Sequence, residues 1–172
     1  MFSKFIEKDF PRVNVKFSRN IKDDEDFNNF LNNWLKIYEK KEDFYFIMDT
    51  NDTGYVPIKY CLEMSNFINE IRRNEIRYLK FSIILVSNTL ISYLLKVIFM
   101  VSPPLAPLYI VKTEEEKKKL EDILKKKYLK PPNLCDNINM NSTDSIDYID
   151  YSDYSDCIDY IDCIDYLYIE PK

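Results

Sequence analysis

The chain has 172 residues, enough for one domain and a tail, and its 24 bases and 29 acids leave a formal charge of −5. It has no histidine and one glycine, Gly54. The first removes imidazole-based acyl-transfer sites and narrows zinc sites to thiolates and carboxylates; the second removes glycine-rich phosphate loops.

The amino end, MFSKFIEKDF, carries charges at Lys4, Glu7, Lys8 and Asp9, so no signal-peptide core is expected. Arg12 to Phe17 (RVNVKF) alternates as a strand does, with Val13, Val15 and Phe17 on one face. The acids Asp23 to Asp26 suit a helix start, where the backbone dipole favours negative charge. Phe27, Phe30, Leu31, Trp34, Leu35 and Tyr38 then recur at helical spacing and predict one apolar face. Phe44 to Met48 (FYFIM) predicts a buried strand ending in Asp49, followed by the loop TNDTGYV. Pro57 suits the first position of a second helix, whose expected inner face is Ile58, Cys61, Leu62, Ser65, Ile68 and Ile71. Arg72, Arg73 and Arg77 lie near its end, where cations are favoured.

Phe81 to Val111 is the most apolar stretch, with Lys96 as its one charge. Phe81 to Val86 predicts a strand covered on both faces. Asn88 predicts the cap of a helix over Thr89 to Val101, with Leu90, Ile91, Leu94, Leu95, Ile98 and Val101 on one broad face. Ser102-Pro103-Pro104 stops that helix, and Leu108 to Val111 predicts another buried strand. The rival reading is a membrane-anchored protein with a span near 83–101. Against it stand the polar run Ser87-Asn88-Thr89 and Lys96, whose central placement in a bilayer costs about 2.5–3.5 kcal/mol.

Thr113 and Glu116 form an expected capping box for a helix with Leu120, Ile123, Leu124 and Tyr128 inward. Pro131-Pro132 ends it. Four β-α units in succession predict an α/β domain over residues 1–130, built on a four-stranded, mostly parallel sheet with right-handed crossovers. Residues 131–172 read as a low-complexity acidic tail. Ten acids and one base give it −9, against 23 bases and 19 acids (+4) in the domain. From Asp144 to Asp165 an Asp recurs at every third position, which fits neither helix nor strand, and a disordered segment is expected. Cys61 reads as core; Cys135, Cys157 and Cys163 fall in the tail, and a reducing, cytoplasmic setting is the default.

No residue set supplies a poised catalytic base, so no enzyme activity, metal or cofactor is expected. The lysine runs at 117–119 and 125–127 read as the solvated side of a helix, and with an acidic tail they argue against nucleic acid. The remaining polar cluster is the loop at the carboxyl end of the second strand, where open α/β sheets place their sites.

The run FYFIMDTNDTGYVPIKYCLEMSNFINEI, then RYLKFSIILVSNTLISYLLKVIFMVSPPLAPLYIV, resembles the core shared by STAS and CRAL-TRIO domains. Both belong to the SpoIIAA-like fold, a superhelix of four β-α turns. The STAS resemblance implies a non-enzymatic regulatory or protein-interaction module. It would dock a protein partner through Asp49, Thr50, Asp52, Thr53, Tyr55 and Lys59. Where STAS regulators carry a phosphorylatable hydroxyl, this chain has Val56-Pro57-Ile58-Lys59, with Thr53 nearest. The alternative, from the CRAL-TRIO resemblance, is a small-lipid-binding module with an apolar slot at Leu94, Leu95 and Ile98.

Overall fold

The structure, a computed structural model, describes residues 1–73, 77–86, 88–129 and the backbone of 167–169. Its elements in chain order are β1 (Ser3–Ile6), β2 (Arg12–Arg19), α1 (Asp24–Tyr38), β3 (Phe44–Thr53), α2 (Ile58–Arg73), β4 (Leu79–Leu85), α3 (Thr89–Val101), β5 (Leu108–Val111), α4 (Glu114–Tyr128) and β6 (Leu167–Ile169). They build one α/β domain on a sheet ordered β1-β2-β3-β4-β5-β6. Strands β2 to β5 run parallel and in sequence order. The sheet has six strands rather than the expected four. β1 pairs antiparallel with β2, and β6, inside the expected tail, pairs antiparallel with β5. β6 is a three-residue edge strand whose partner is distant in sequence, and β1 is a four-residue edge strand paired with the next strand, β2; both are too short to show an alternating pattern. The rest of the expected disordered tail, with Cys135, Cys157 and Cys163, lies outside the described residues, as does Ser87.

Sequential parallel strands joined by crossovers of one hand put the connecting helices on one face. Helices α1, α2 and α3 accordingly share a core with Val13, Val15, Phe44, Phe46, Met48 and Ile84. The alternate residues Tyr45, Ile47, Phe81, Ile83 and Tyr109 face the other way, against Leu120 and Leu124 of α4. This two-sided burial explains why the central strands read as unbroken apolar runs.

The helix starts follow local chemistry. Asp23 accepts the Asp26 N–H at 2.9 Å, Asn88 accepts the Leu90 N–H at 2.8 Å, and Thr113 with Glu116 forms the full capping box. The expected span near 83–101 is not a single helix. Ile84 lies in β4 and Leu95 in α3, and among the described residues no helix is long and apolar enough to cross a membrane. The 13 residues of α3 span about 20 Å, against about 30 Å of hydrocarbon.

The helix faces need correction at their edges. Leu35, Ile58, Leu62, Leu90, Val101 and Ile123 were expected inside and are exposed, whereas Ile37, Tyr60, Phe67 and Glu121 are buried. A period of 3.6 residues defines an apolar arc wider than one contact face. Which edge of that arc meets the sheet is set by how each helix rolls against its neighbours. Between α2 and α3 the roll is fixed by small polar contacts: Ser65 donates to the Ile98 carbonyl at 3.2 Å, and Ser102 donates to Asn69 Oδ1 at 2.8 Å. The Arg72 guanidinium also donates to the Pro103 carbonyl.

Candidate functional site

The expected partner loop begins later than the sequence indicates. Residues Asp49 to Thr53 continue β3, because Asp49, Asp52 and Thr53 pair with Lys16, Ser18 and Arg19 of β2. Polar residues typical of turns are held in a strand by a parallel neighbour that is distant in sequence. The turn proper starts at Gly54. A Cβ there would meet Asn20 Oδ1, which accepts the Tyr55 N–H at 2.8 Å, so a side chain at 54 would displace Asn20 and break that bond.

This extension divides the six expected loop residues into two groups. Thr50 and Thr53 are buried and turn inward. Asp52, Tyr55 and Lys59 remain outside, and Tyr55 is 64% exposed. Asp49 accepts the Asn51 N–H at 3.1 Å, ordinary local turn chemistry. Lys59 pairs with Asp24, which also accepts the Tyr60 hydroxyl at 2.8 Å. The Lys59 ammonium first, and the Tyr60 hydroxyl second, hold the Asp24 carboxyl below its ordinary range.

The inward residues meet the expected lipid slot. Leu94, Leu95 and Ile98 of α3 line a cavity of about 140 Å³ between the α1–α3 layer and the sheet. Met48, Ile84 and Leu108 form its floor, and Phe27, Phe30 and Trp34 of α1 its far wall. Tyr60, Cys61 and Met64 of α2 close the side. No charged side chain lines it. Burial pushes the Cys61 thiol up, so the group stays neutral and behaves as apolar wall.

Two hydroxyls in this wall differ sharply. Thr50 Oγ1 donates to the Leu85 carbonyl at 2.8 Å and is satisfied. Thr53 Oγ1, in a residue 8% exposed, has no hydrogen-bond partner among the described residues. A buried hydroxyl left unpaired costs about 1–3 kcal/mol. Valine, almost the same shape, would fill the place without that cost.

Helix α3 covers the cavity: Ile91 and Leu94 are buried, and Leu95, Ile98 and Phe99 are partly buried against the core. Leu90, Tyr93, Met100 and Val101 present apolar surface outward. The expected slot residues on α3 and the two threonines thus belong to one site. The sequence does not show α1 as its opposite wall, because inner-face residues of a helix look alike whether they meet atoms or a void.

A second cluster was not anticipated. On the far face of the sheet, Glu121 is buried and accepts the Tyr45 hydroxyl at 2.8 Å, with Lys125 Nζ at 2.9 Å and Arg12 Nε at 3.4 Å. Burial, and then the Glu121 carboxylate, push the Tyr45 phenol well above its ordinary value. A signal was present: Lys117, Leu120, Glu121 and Leu124 share a stripe at helical spacing, and the charge at 121 hid its inward position. This cluster locks α4 to the sheet and does not touch the cavity.

Compared with protein-family models and with curated proteins, the chain matches none.

Proposed function

We propose that the chain is a non-enzymatic binding module that holds a small apolar ligand in the cavity beneath α3. The observation that carries this reading is the void of about 140 Å³ with an uncharged, aromatic-rich wall. A dry cavity of roughly 150 Å³ takes up a benzene-sized molecule. The volume therefore suits a ring or a short chain, not a whole membrane lipid. In fold-family terms this is a CRAL-TRIO-like use of a SpoIIAA-like superhelix. It is supported by the in-order parallel strands β2 to β5 with α1 to α3 on one face. A cytoplasmic setting, expected from the cysteine usage, belongs to the same reading.

The test is protein-observed methyl NMR and thermal melting of the full chain with benzene as probe. Benzene should raise the melting temperature of the wild type and shift methyl signals of Leu94, Leu95 and Ile98. Leu95→Trp, at a partly buried wall position, should fill the space and abolish both effects. Absence of any methyl shift at saturating benzene refutes the reading.

A second reading, a regulatory module of STAS type, is favoured by Tyr55, Ile58 and Leu62. These three apolar side chains are exposed and lie within four residues of Lys59 along the chain, where α2 begins. There the partner would be a protein, and the acidic tail would modulate docking by charge. Retention of a bound partner by a Tyr55→Ser/Ile58→Ser/Leu62→Ser variant counts against it.

A further inference from the structure

We infer that the ligand of this cavity is a neutral molecule with a single hydrogen-bonding group, of the phenol or short-alcohol class, and that Thr53 selects it. The inference rests on the cavity being a binding site, and it adds which chemistry the site prefers. Three observations carry it. Thr53 lines the cavity, and its buried Oγ1 has no partner among the described residues; the other unpaired buried atom there is the indole Nε1 of Trp34, a donor that a ligand oxygen would also satisfy. Native chains leave few such groups unpaired, and those that remain call for an explanation. Thr50, three residues earlier in the same strand and the same wall, is satisfied by the Leu85 carbonyl, so the fold can pair a hydroxyl in this region.

The rest of the wall limits the ligand further. No Lys, Arg, Asp or Glu lines the cavity. A carboxylate or ammonium inside it would lie without a counter-charge, which disfavours a charged group within the cavity. A threonine hydroxyl both donates and accepts, so it matches a ligand hydroxyl in either sense. Phe27, Phe30, Trp34 and Tyr60 favour an aromatic body over a flexible chain. Thr53 is the last residue of β3, so the polar end of the ligand lies at the carboxyl end of the parallel strands.

The experiment uses the full chain with benzene, phenol and benzoate, and reads affinity from NMR titration of the Leu94 and Ile98 methyls. Phenol should bind wild type about ten-fold or more tighter than benzene, because it pairs a hydroxyl that benzene leaves orphaned. Benzoate should show no binding. Thr53→Val should keep benzene binding and reduce the phenol preference to less than three-fold. Thr53→Ser, which retains the hydroxyl, should preserve the preference. Phenol and benzene within three-fold of each other on wild type, or an undiminished preference in Thr53→Val, overturns the inference and leaves the cavity reading standing. Benzoate binding as tightly as phenol overturns the neutrality of the ligand and the inference with it. Failure of all three probes overturns the cavity reading itself.

Discussion

Truncation of Leu94 to alanine probes the packing of α3 most directly. Leu94 is 9% exposed and stands in the cavity wall. Removing three buried carbons forfeits about 2–2.5 kcal/mol of transfer free energy. A further term arises because the neighbouring side chains, which already leave a void of about 140 Å³, do not close over a larger one. Against this, α3 buries only one other side chain fully, Ile91, so the helix can settle inward and recover part of the loss. The balance is a destabilisation of about 3 kcal/mol. A domain of this size, typically stable by about 5–15 kcal/mol, survives it. Equilibrium urea denaturation of wild type and Leu94→Ala, with the slope checked for constancy, measures the difference. Met100→Ala, at a position 84% exposed on the outer face, is the control and should change stability by less than about 0.5 kcal/mol. Benzene at a hundred times its dissociation constant should return about 2.7 kcal/mol to the variant. A loss below about 1 kcal/mol at Leu94, or an equal loss at Met100, would show that α3 does not rest on the sheet by this face.

Glu121→Ala should cost about 2–4 kcal/mol in the same assay, since it orphans the buried Tyr45 hydroxyl, while Lys125→Ala should cost under about 1 kcal/mol because Lys125 is solvated. Neither should alter cavity affinity, and a change there would contradict the separation of the two faces. Lys41 sits just past the end of α1 with a φ of 55°, where a Cβ is strained, so Lys41→Gly should stabilise by about 0.5–1 kcal/mol; a loss of stability would refute that account. Burial pushes the Tyr38 phenol up to about 12. The stability it contributes is fully present below the ordinary phenol value near 10 and is lost as pH rises toward 12. Melting temperature followed from pH 8 upward should fall through this window and fall less in Tyr38→Phe; identical alkaline profiles would assign the fall elsewhere. Thr113→Ala should lower stability by about 1 kcal/mol through loss of the α4 cap, measurable by urea denaturation, and an unchanged midpoint would mean the cap is dispensable.

Much of this architecture was legible in the residues. Periodicity is a local property, so it placed α1 to α4 and the parallel strands β2 to β5. Capping is equally local, and Asp23, Asn88 and Thr113 marked helix starts that the folded chain uses. The break of the apolar stretch into β4, α3 and β5 followed from Lys96, Asn88 and the two prolines after Ser102. What sequence could not supply were relations between distant segments. β6 exists because β5, distant in the chain, offers it an open edge. Asp49 to Thr53 are strand because β2 runs beside them, although their composition is that of a turn. The roll of each helix decided that Ile58, Leu62 and Ile123 face out and Glu121 faces in. The cavity depends on three-dimensional packing most of all. A void is the absence of contact among side chains from three helices and the sheet, and nothing along a one-dimensional chain records where packing falls short.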